Sequence, residues 1–303
     1  PLLRNQILTA DGDVTAVNVV LQYPEKDLME VPEAVEVARG LQADIEAKYP
    51  QLTIHLTGVS MLNTAFAETG MSDAGTLMPL MFGVIFLLTW LILRSLTATF
   101  STLIVIGLST MVAMGVAGFF GVKLTPIAMS APIVILTLAV ADSIHILMSL
   151  RSLTRDGLRK NEALIEAVRI NFLPVTITSL TTVVGFLSLN FSDSPPYWHL
   201  GNITAVGIFA AWIFSVTVLP AAISLLPYRV KEKQGTAWSV KAMDRLSEFV
   251  IRRYRGLLVG VGVPTLAIIA FIPTLDFNDQ WVEYFDERIE FRVDSDQAMN
   301  HFG

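Results

Sequence analysis

The sequence predicts an α-helical polytopic membrane protein with a small α+β module outside the bilayer. Three observations carry that prediction. Of the 303 residues, 53% are hydrophobic and 16% charged, against about 25% charged in ordinary soluble domains. The apolar residues are gathered into six long blocks instead of being spread in amphipathic periods. Lysine and arginine concentrate in alternate connections between those blocks, as membrane orientation demands.

Residues 1–76 are acidic, with 11 Asp+Glu against 4 Lys+Arg. "NQILTADGDVTAVNVVLQY" alternates around a "DGD" turn and reads as a β-hairpin. "VPEAVEVARGLQADIEAKYP" has helical spacing with Pro32 near its start, and "QLTIHLTGV" returns to period two. The expectation is a β-β-α-β module leading straight into the first span.

The six blocks are Leu77–Leu93, Phe100–Val122, Leu124–Leu150, Phe172–Phe191, Ile203–Leu226 and Gly256–Pro273. A spanning helix needs roughly 17–25 apolar residues, and each block meets that length. If the side holding Arg94 is the inside, the internal segments hold 14 positive residues: Arg94; Arg151, Arg155, Arg159, Lys160 and Arg169; Arg229, Lys231, Lys233, Lys241, Arg245, Arg252, Arg253 and Arg255. The short external turns hold Lys123. Residues 1–76 and 274–303 are then external. Residues 77–226 hold five spans, 227–255 a basic internal linker that is a natural boundary between two halves, 256–273 the sixth span, and 274–303 an acidic external stretch. The stretch 152–171, with Asn161 as a helix cap for "EALIEAV", reads either as an amphipathic segment along the inner surface or as an ordinary connecting helix. In the second block Ser109, Ala113, Ala117 and Gly121 recur every four residues, a packing stripe.

One span carries chemistry. Between Leu124 and Leu150 the ionisable side chains are Asp142 and His145. A charge near mid-bilayer costs about 2.5–3.5 kcal/mol and is retained where it faces protein or a wet pathway. Asp142 lies eight residues from Leu150, roughly 12 Å along a helix, too deep for a short side chain to reach the surface. His145 at i+3 shares its face, and Ser143 adds a hydroxyl. Together they read as a proton relay, in which a change of hydration loads or releases a proton; the plainer reading is a structural aspartate that fixes helix packing. His145 reads equally well as a solvated or packed histidine. In the fourth block Thr178, Thr181, Thr182, Gly185 and Ser188 form a hydroxyl stripe. It either reaches Asp142 from a neighbouring helix or serves close packing.

Other chemistries find little support. With no cysteine, disulfides and thiol catalysis are excluded. His55, His145, His199 and His301 lie in separate elements and give no metal-ligand spacing. Phosphate-binding glycine loops are absent, and "GVSML" lacks the second glycine of a serine-nucleophile elbow. A net charge of −6 with no basic run argues against nucleic acid. No enzyme activity and no cofactor are therefore expected.

The whole chain resembles the resistance-nodulation-division (RND) superfamily, in its hydrophobe- and lipid-exporting branch with MMPL-type, sterol-sensing-like membrane domains. "LTGVSMLNTAFAETGMSDAGTLMPL" is similar to the passage from the first external domain into the second membrane helix. "LAVADSIHILMSL" resembles the fourth-helix motif, with Asp142 at the proton-relay position. "NEALIEAVRINFLPVTITSLTTVVGFLSL" is similar to the connector and fifth helix, and "QWVEYFDERIEFRVDSDQAMNHFG" to the start of the second external domain. The resemblance implies helices two to seven of a twelve-helix protein, an internal piece of a longer polypeptide whose other half is its partner. It also implies a porter-like role for residues 1–76, alternating access driven by protons, a lipid or other hydrophobic substrate, and oligomers in some members. Drug-efflux members carry paired acidic residues on this helix. Here Ala141 precedes Asp142, which fits the lipid-exporting branch better. A sterol- or lipid-sensing module that does not pump, and an accessory protein using the proton gradient for polypeptide secretion, are the competing expectations.

Overall fold

A computed structural model of the chain describes residues 8–9, 12–24, 26, 29–122, 124–228, 237–275 and 280–302. Lys123, Arg229, Lys231, Lys233 and part of the "DGD" turn lie outside the described residues. The chain divides into two compact units, one formed by Gly70–Lys233, the other by Pro1–Thr69 together with Gln234–Gly303.

The expected membrane helices are present. Six helical segments are long and apolar enough to cross a bilayer: Val59–Leu93, Leu96–Phe119, Ala128–Arg155, Lys160–Phe191, Pro195–Leu225 and Tyr254–Thr274. We number the α-helices in chain order: α1 Glu30–Lys48, α2 Val59–Leu93, α3 Leu96–Phe119, α4 Ala131–Arg155, α5 Lys160–Leu187, α6 Pro195–Val216, α7 Val218–Leu225, α8 Ala237–Arg252, α9 Tyr254–Ile269 and α10 Glu290–Phe302.

The unit Gly70–Lys233 is a helix bundle in which α6 packs against α3, α4 and α5. Small residues make this possible. A Cβ at Gly207 would lie 2.2 Å from Ile135 Cδ1 and 3.1 Å from Ala113 Cβ, so α3, α4 and α6 meet closely at a side chain that is missing. Ser109, Ala113 and Ala117 of the expected stripe are buried as packing residues, whereas Gly121 is exposed in the turn after α3 with φ 65°. A larger cluster joins Val105 and Ile106 of α3 to Leu136, Ile146 and Leu150 of α4, Ala163 and Ala167 of α5, and Leu219 and Ile223 of α7. Between α2 and α3 the chain turns in two residues. Arg94 takes φ 50°, and the Ser95 hydroxyl caps α3 by accepting from the Ala98 N–H. The α6–α7 break at Thr217 comes three residues before Pro220, which cannot donate a helical hydrogen bond to Val216.

The stretch 152–171 is not a separate surface helix. α4 ends at Arg155 with Gly157 at φ 99°, and the N–H groups of Gly157 and Leu158 return to the carbonyls of Thr154 and Leu153. This Schellman closure splits the stretch. α5 then starts at Lys160, after Arg159 as its N-cap, so Asn161 lies inside the first turn and is not the cap. Ala163, Leu164 and Ala167 are buried in the bundle, which removes the amphipathic face from the membrane surface.

In the unit formed by Pro1–Thr69 and Gln234–Gly303, the expected β-β-α-β module is not found. Its helix is present as α1, but the described residues contain no strand. Among the described residues of the hairpin the pairing is one isolated antiparallel bridge between Leu8 and Thr15, with Gly12 at φ 76°. Beyond it Val17 and Val20 are 85% and 87% exposed, and a ribbon with no covered face has little to hold it together. The residues 51–57 form no strand either, because side chains take their backbone groups. Ile54 N–H donates to Glu46 and its carbonyl accepts from Gln42, while Leu56 N–H donates to Asp294. Val35, Met61, Ala65, Phe285 and Phe291 make the small core of this unit.

Candidate functional site

α4 carries Asp142 on its packed side, where the side chain is buried together with Ser143. The hydroxyl of Ser179 on α5 donates to Asp142 Oδ2 over 3.0 Å. Ser179 reaches it because of the phase of α5. Ala163, Ala167, Asn171, Val175 and Ser179 recur every four residues and are all buried, forming the ridge that faces the bundle. Two turns along the same interface Asn171 donates to the Ser149 hydroxyl at 2.7 Å and to the Ala167 carbonyl at 2.7 Å. The two polar contacts pin α4 to α5 on either side of a roughly 10 Å stretch. On its other side α5 is tied to α6 by the Trp212 indole N–H, which donates to Thr176 Oγ1 at 2.9 Å.

Of the two readings of the hydroxyl stripe, its threonines make no contact with Asp142 among the described residues. Thr178 donates to the carbonyls of Pro174 and Val175, Thr181 to those of Ile177 and Thr178, and Thr182 to that of Thr178. These threonines satisfy themselves on their own helix, as hydroxyls in apolar surroundings commonly do. Ser179, their sequence neighbour, supplies the contact. The signal that could have found it is the i+4 row of small residues leading to it from Ala163. His145 is exposed, and the Ser143 hydroxyl is buried with no hydrogen-bond partner among the described residues. The structure therefore joins Asp142 to Ser179 and leaves Ser143 and His145 beside the pair.

Chemically, one hydroxyl replaces little of the hydration an ionised carboxylate has in water, since the group offers about four acceptor positions. No three His, Cys, Asp or Glu side chains come together to hold a metal among the described residues.

Residues 1–259 match the MMPL family. The chain belongs to that family. It is 29% identical over 248 residues to the hopanoid transporter HpnN of Rhodopseudomonas palustris, covering 78% of this chain and 28% of that protein. To the hopanoid transporter HpnN of Burkholderia multivorans it is 28% identical over 252 residues, covering 80% of this chain and 27% of the other. A putative membrane protein, MJ1562 of Methanocaldococcus jannaschii, is 31% identical over 109 residues, 36% of this chain and 28% of its own. The MMPL-family chain thus spans little more than a quarter of the length of these relatives. With its six candidate spans it is an integral multi-pass membrane protein.

Proposed function

We propose that this MMPL-family chain is part of a transporter that exports hydrophobic or amphiphilic molecules, lipids first among them, driven by the proton-motive force through alternating access. In this reading Asp142 takes and releases the proton, Ser179 orients its carboxyl, and Ser143 and His145 line the route by which water or protons reach it. Residues 1–76 and 274–303 lie on the periplasmic face of the inner membrane, where the substrate is handled. The observation that carries the reading is a buried carboxyl inside a candidate membrane helix with one hydroxyl donor among the described residues. Such groups are retained at functional pathways because they are costly elsewhere. Two relatives named as hopanoid transporters support a lipid-like substrate.

The test uses the full-length gene product in proteoliposomes loaded with a pH-sensitive dye, under an inward proton gradient, with a host lipid extract supplied. Asp142→Asn, which keeps the size and an acceptor for Ser179, is expected to abolish lipid-dependent proton uptake with the fold intact. Ser179→Ala is expected to shift the pH dependence of uptake, while Thr181→Ala leaves it unchanged. Equal uptake by wild type and Asp142→Asn would make the carboxyl structural and favour a lipid-sensing module that does not pump.

A further inference from the structure

The linker expected between the two groups of spans contains α8, whose side chains have no partner in the mechanism above. At 100° per residue, Met243, Leu246, Phe249 and Val250 fall with Ala242 within an arc about 120° wide. All are exposed, Met243 by 61% and Leu246 by 54%. Charges occupy most of the opposite side, which the exposed Ile251 shares beside Asp244, and they follow a definite order. Turning away from the apolar arc at Phe249, the helix first presents Arg245, Arg252 and Lys241, and only then Glu248 and Asp244. The cations thus adjoin the apolar face and the carboxylates stand farthest from it. This is the distribution of a helix half-sunk in a headgroup layer, with basic side chains extending to the phosphates.

Covalent geometry places α8 at such a layer. Arg253 alone separates it from α9, and the span that α9 opens has 21 residues, Tyr254–Thr274. At 1.5 Å per residue that is about 32 Å, against a hydrocarbon thickness of about 30 Å. The span has no slack, so Tyr254 sits at the membrane boundary and the end of α8 within about 4 Å per residue of it. Tyr254 and Arg255 make a cation–π pair at that point, with the guanidinium 5.5 Å from the ring centroid. An aromatic ring with a basic neighbour is a common interfacial anchor.

We infer that α8 is a docking helix for anionic phospholipid, its Met243–Leu246–Phe249–Val250 face set in the acyl boundary and Lys241, Arg245 and Arg252 bound to headgroup phosphates. The occupant is the membrane's own anionic lipid: the apolar face is joined to a membrane span at its end, and the flanking charge is positive. Bound lipid fixes α8 against the surface and makes the protein's behaviour depend on the anionic content of that leaflet.

The absence of cysteine in the chain gives a direct test. The full chain, carrying single spin-labelled cysteines at Met243→Cys, Leu246→Cys or Glu248→Cys, is reconstituted into vesicles of phosphatidylcholine with or without phosphatidylglycerol. Val261→Cys in α9 reports that the span is inserted in every sample. With phosphatidylglycerol, labels at 243 and 246 are expected to collide with lipid-soluble oxygen and the label at 248 with an aqueous nickel reagent. Removing the anionic lipid, or substituting Lys241→Gln, Arg245→Gln and Arg252→Gln together, is expected to lower the docked-to-free ratio roughly fivefold for each cation lost. Water accessibility at 246 equal to that at 248 would overturn the proposal. Docking that ignores lipid charge would overturn the role of the anionic headgroups. Labels at 243 and 246 shielded from both reagents would overturn it in favour of a protein partner, a second copy included.

Discussion

Replacing Gly201 by alanine sets two effects of opposite sign against each other. Inside a helix, alanine in place of glycine is worth about 1 kcal/mol through backbone entropy. A Cβ at Gly201, however, would lie 2.5 Å from the Phe186 carbonyl oxygen and 3.0 Å from Leu189 Cβ. The carbonyl is main chain, at the end of α5, and cannot rotate aside. Carbon and oxygen in contact sit about 3.3 Å apart, so α6 and the end of α5 must separate by roughly 0.8 Å. Overpacking on that scale costs about 1–3 kcal/mol. The clash outweighs the propensity, and Gly201→Ala is expected to destabilise the bundle by about 1 kcal/mol net. Gly185, in α5 with nothing within 4 Å of its Cβ position, isolates the entropic part; Gly185→Ala should be neutral or stabilise by up to about 1 kcal/mol. The assay is reversible unfolding in mixed micelles with increasing SDS, followed by tryptophan fluorescence. The reasoning is refuted if Gly201→Ala proves as stable as Gly185→Ala.

Three further outcomes are expected. Lys160 Nζ donates at 2.8 Å to the carbonyls of both Ser224 and Leu226, closing the end of α7 with a charge; Lys160→Met should cost about 1.5–3 kcal/mol in the same unfolding assay, and Lys160→Arg much less. Asp294 accepts from His55 Nδ1 at 2.6 Å and from Leu56 N–H at 2.9 Å; Asp294→Ala leaves both donors unpaired, should cost about 2–3 kcal/mol, and should speed amide exchange at Leu56, with Asp294→Asn intermediate. The Arg288 guanidinium and N–H hold the carboxyl of Asp286 down to about 2. Because that value is depressed, what the Asp286–Arg288 turn contributes is complete above the ordinary carboxylate range and is lost as pH falls through about 2. Carboxyl NMR titration should find this midpoint, and Arg288→Ala should return it toward about 3.9.

The spans were legible because a bilayer enforces length and apolarity on one local segment at a time, and both can be read from residues 96–119 or 195–225 alone. The stripe Ser109–Ala113–Ala117 was legible for the same reason. Asp142 was conspicuous against its apolar neighbours, whereas its partner was not. A row of hydroxyls in α5 offers several candidates, and only the phase of the ridge Ala163–Ala167–Asn171–Val175 singles out Ser179. The strand expected at 51–59 failed because period-two alternation says which way side chains point, not where backbone groups find partners. Those partners are Gln42, Glu46 and the distant Asp294. The amphipathic reading of 152–171 failed for a related reason, since its apolar face had a protein surface to cover instead of a lipid one.

The contact between His55 and Asp294 joins residues 239 positions apart, with most of the membrane-spanning sequence made between them. Ribosomes add about 5–20 residues per second, so His55 and the Leu56 amide wait on the order of 10–50 s for their acceptor. During that interval six spans must be inserted while the N-terminal core lacks Phe285 and Phe291. Of the two units, the one that contains His55 is therefore begun before the other and completed after it. Its exposed apolar residues set a time window in which proteases or chaperones can act on a chain that has stalled.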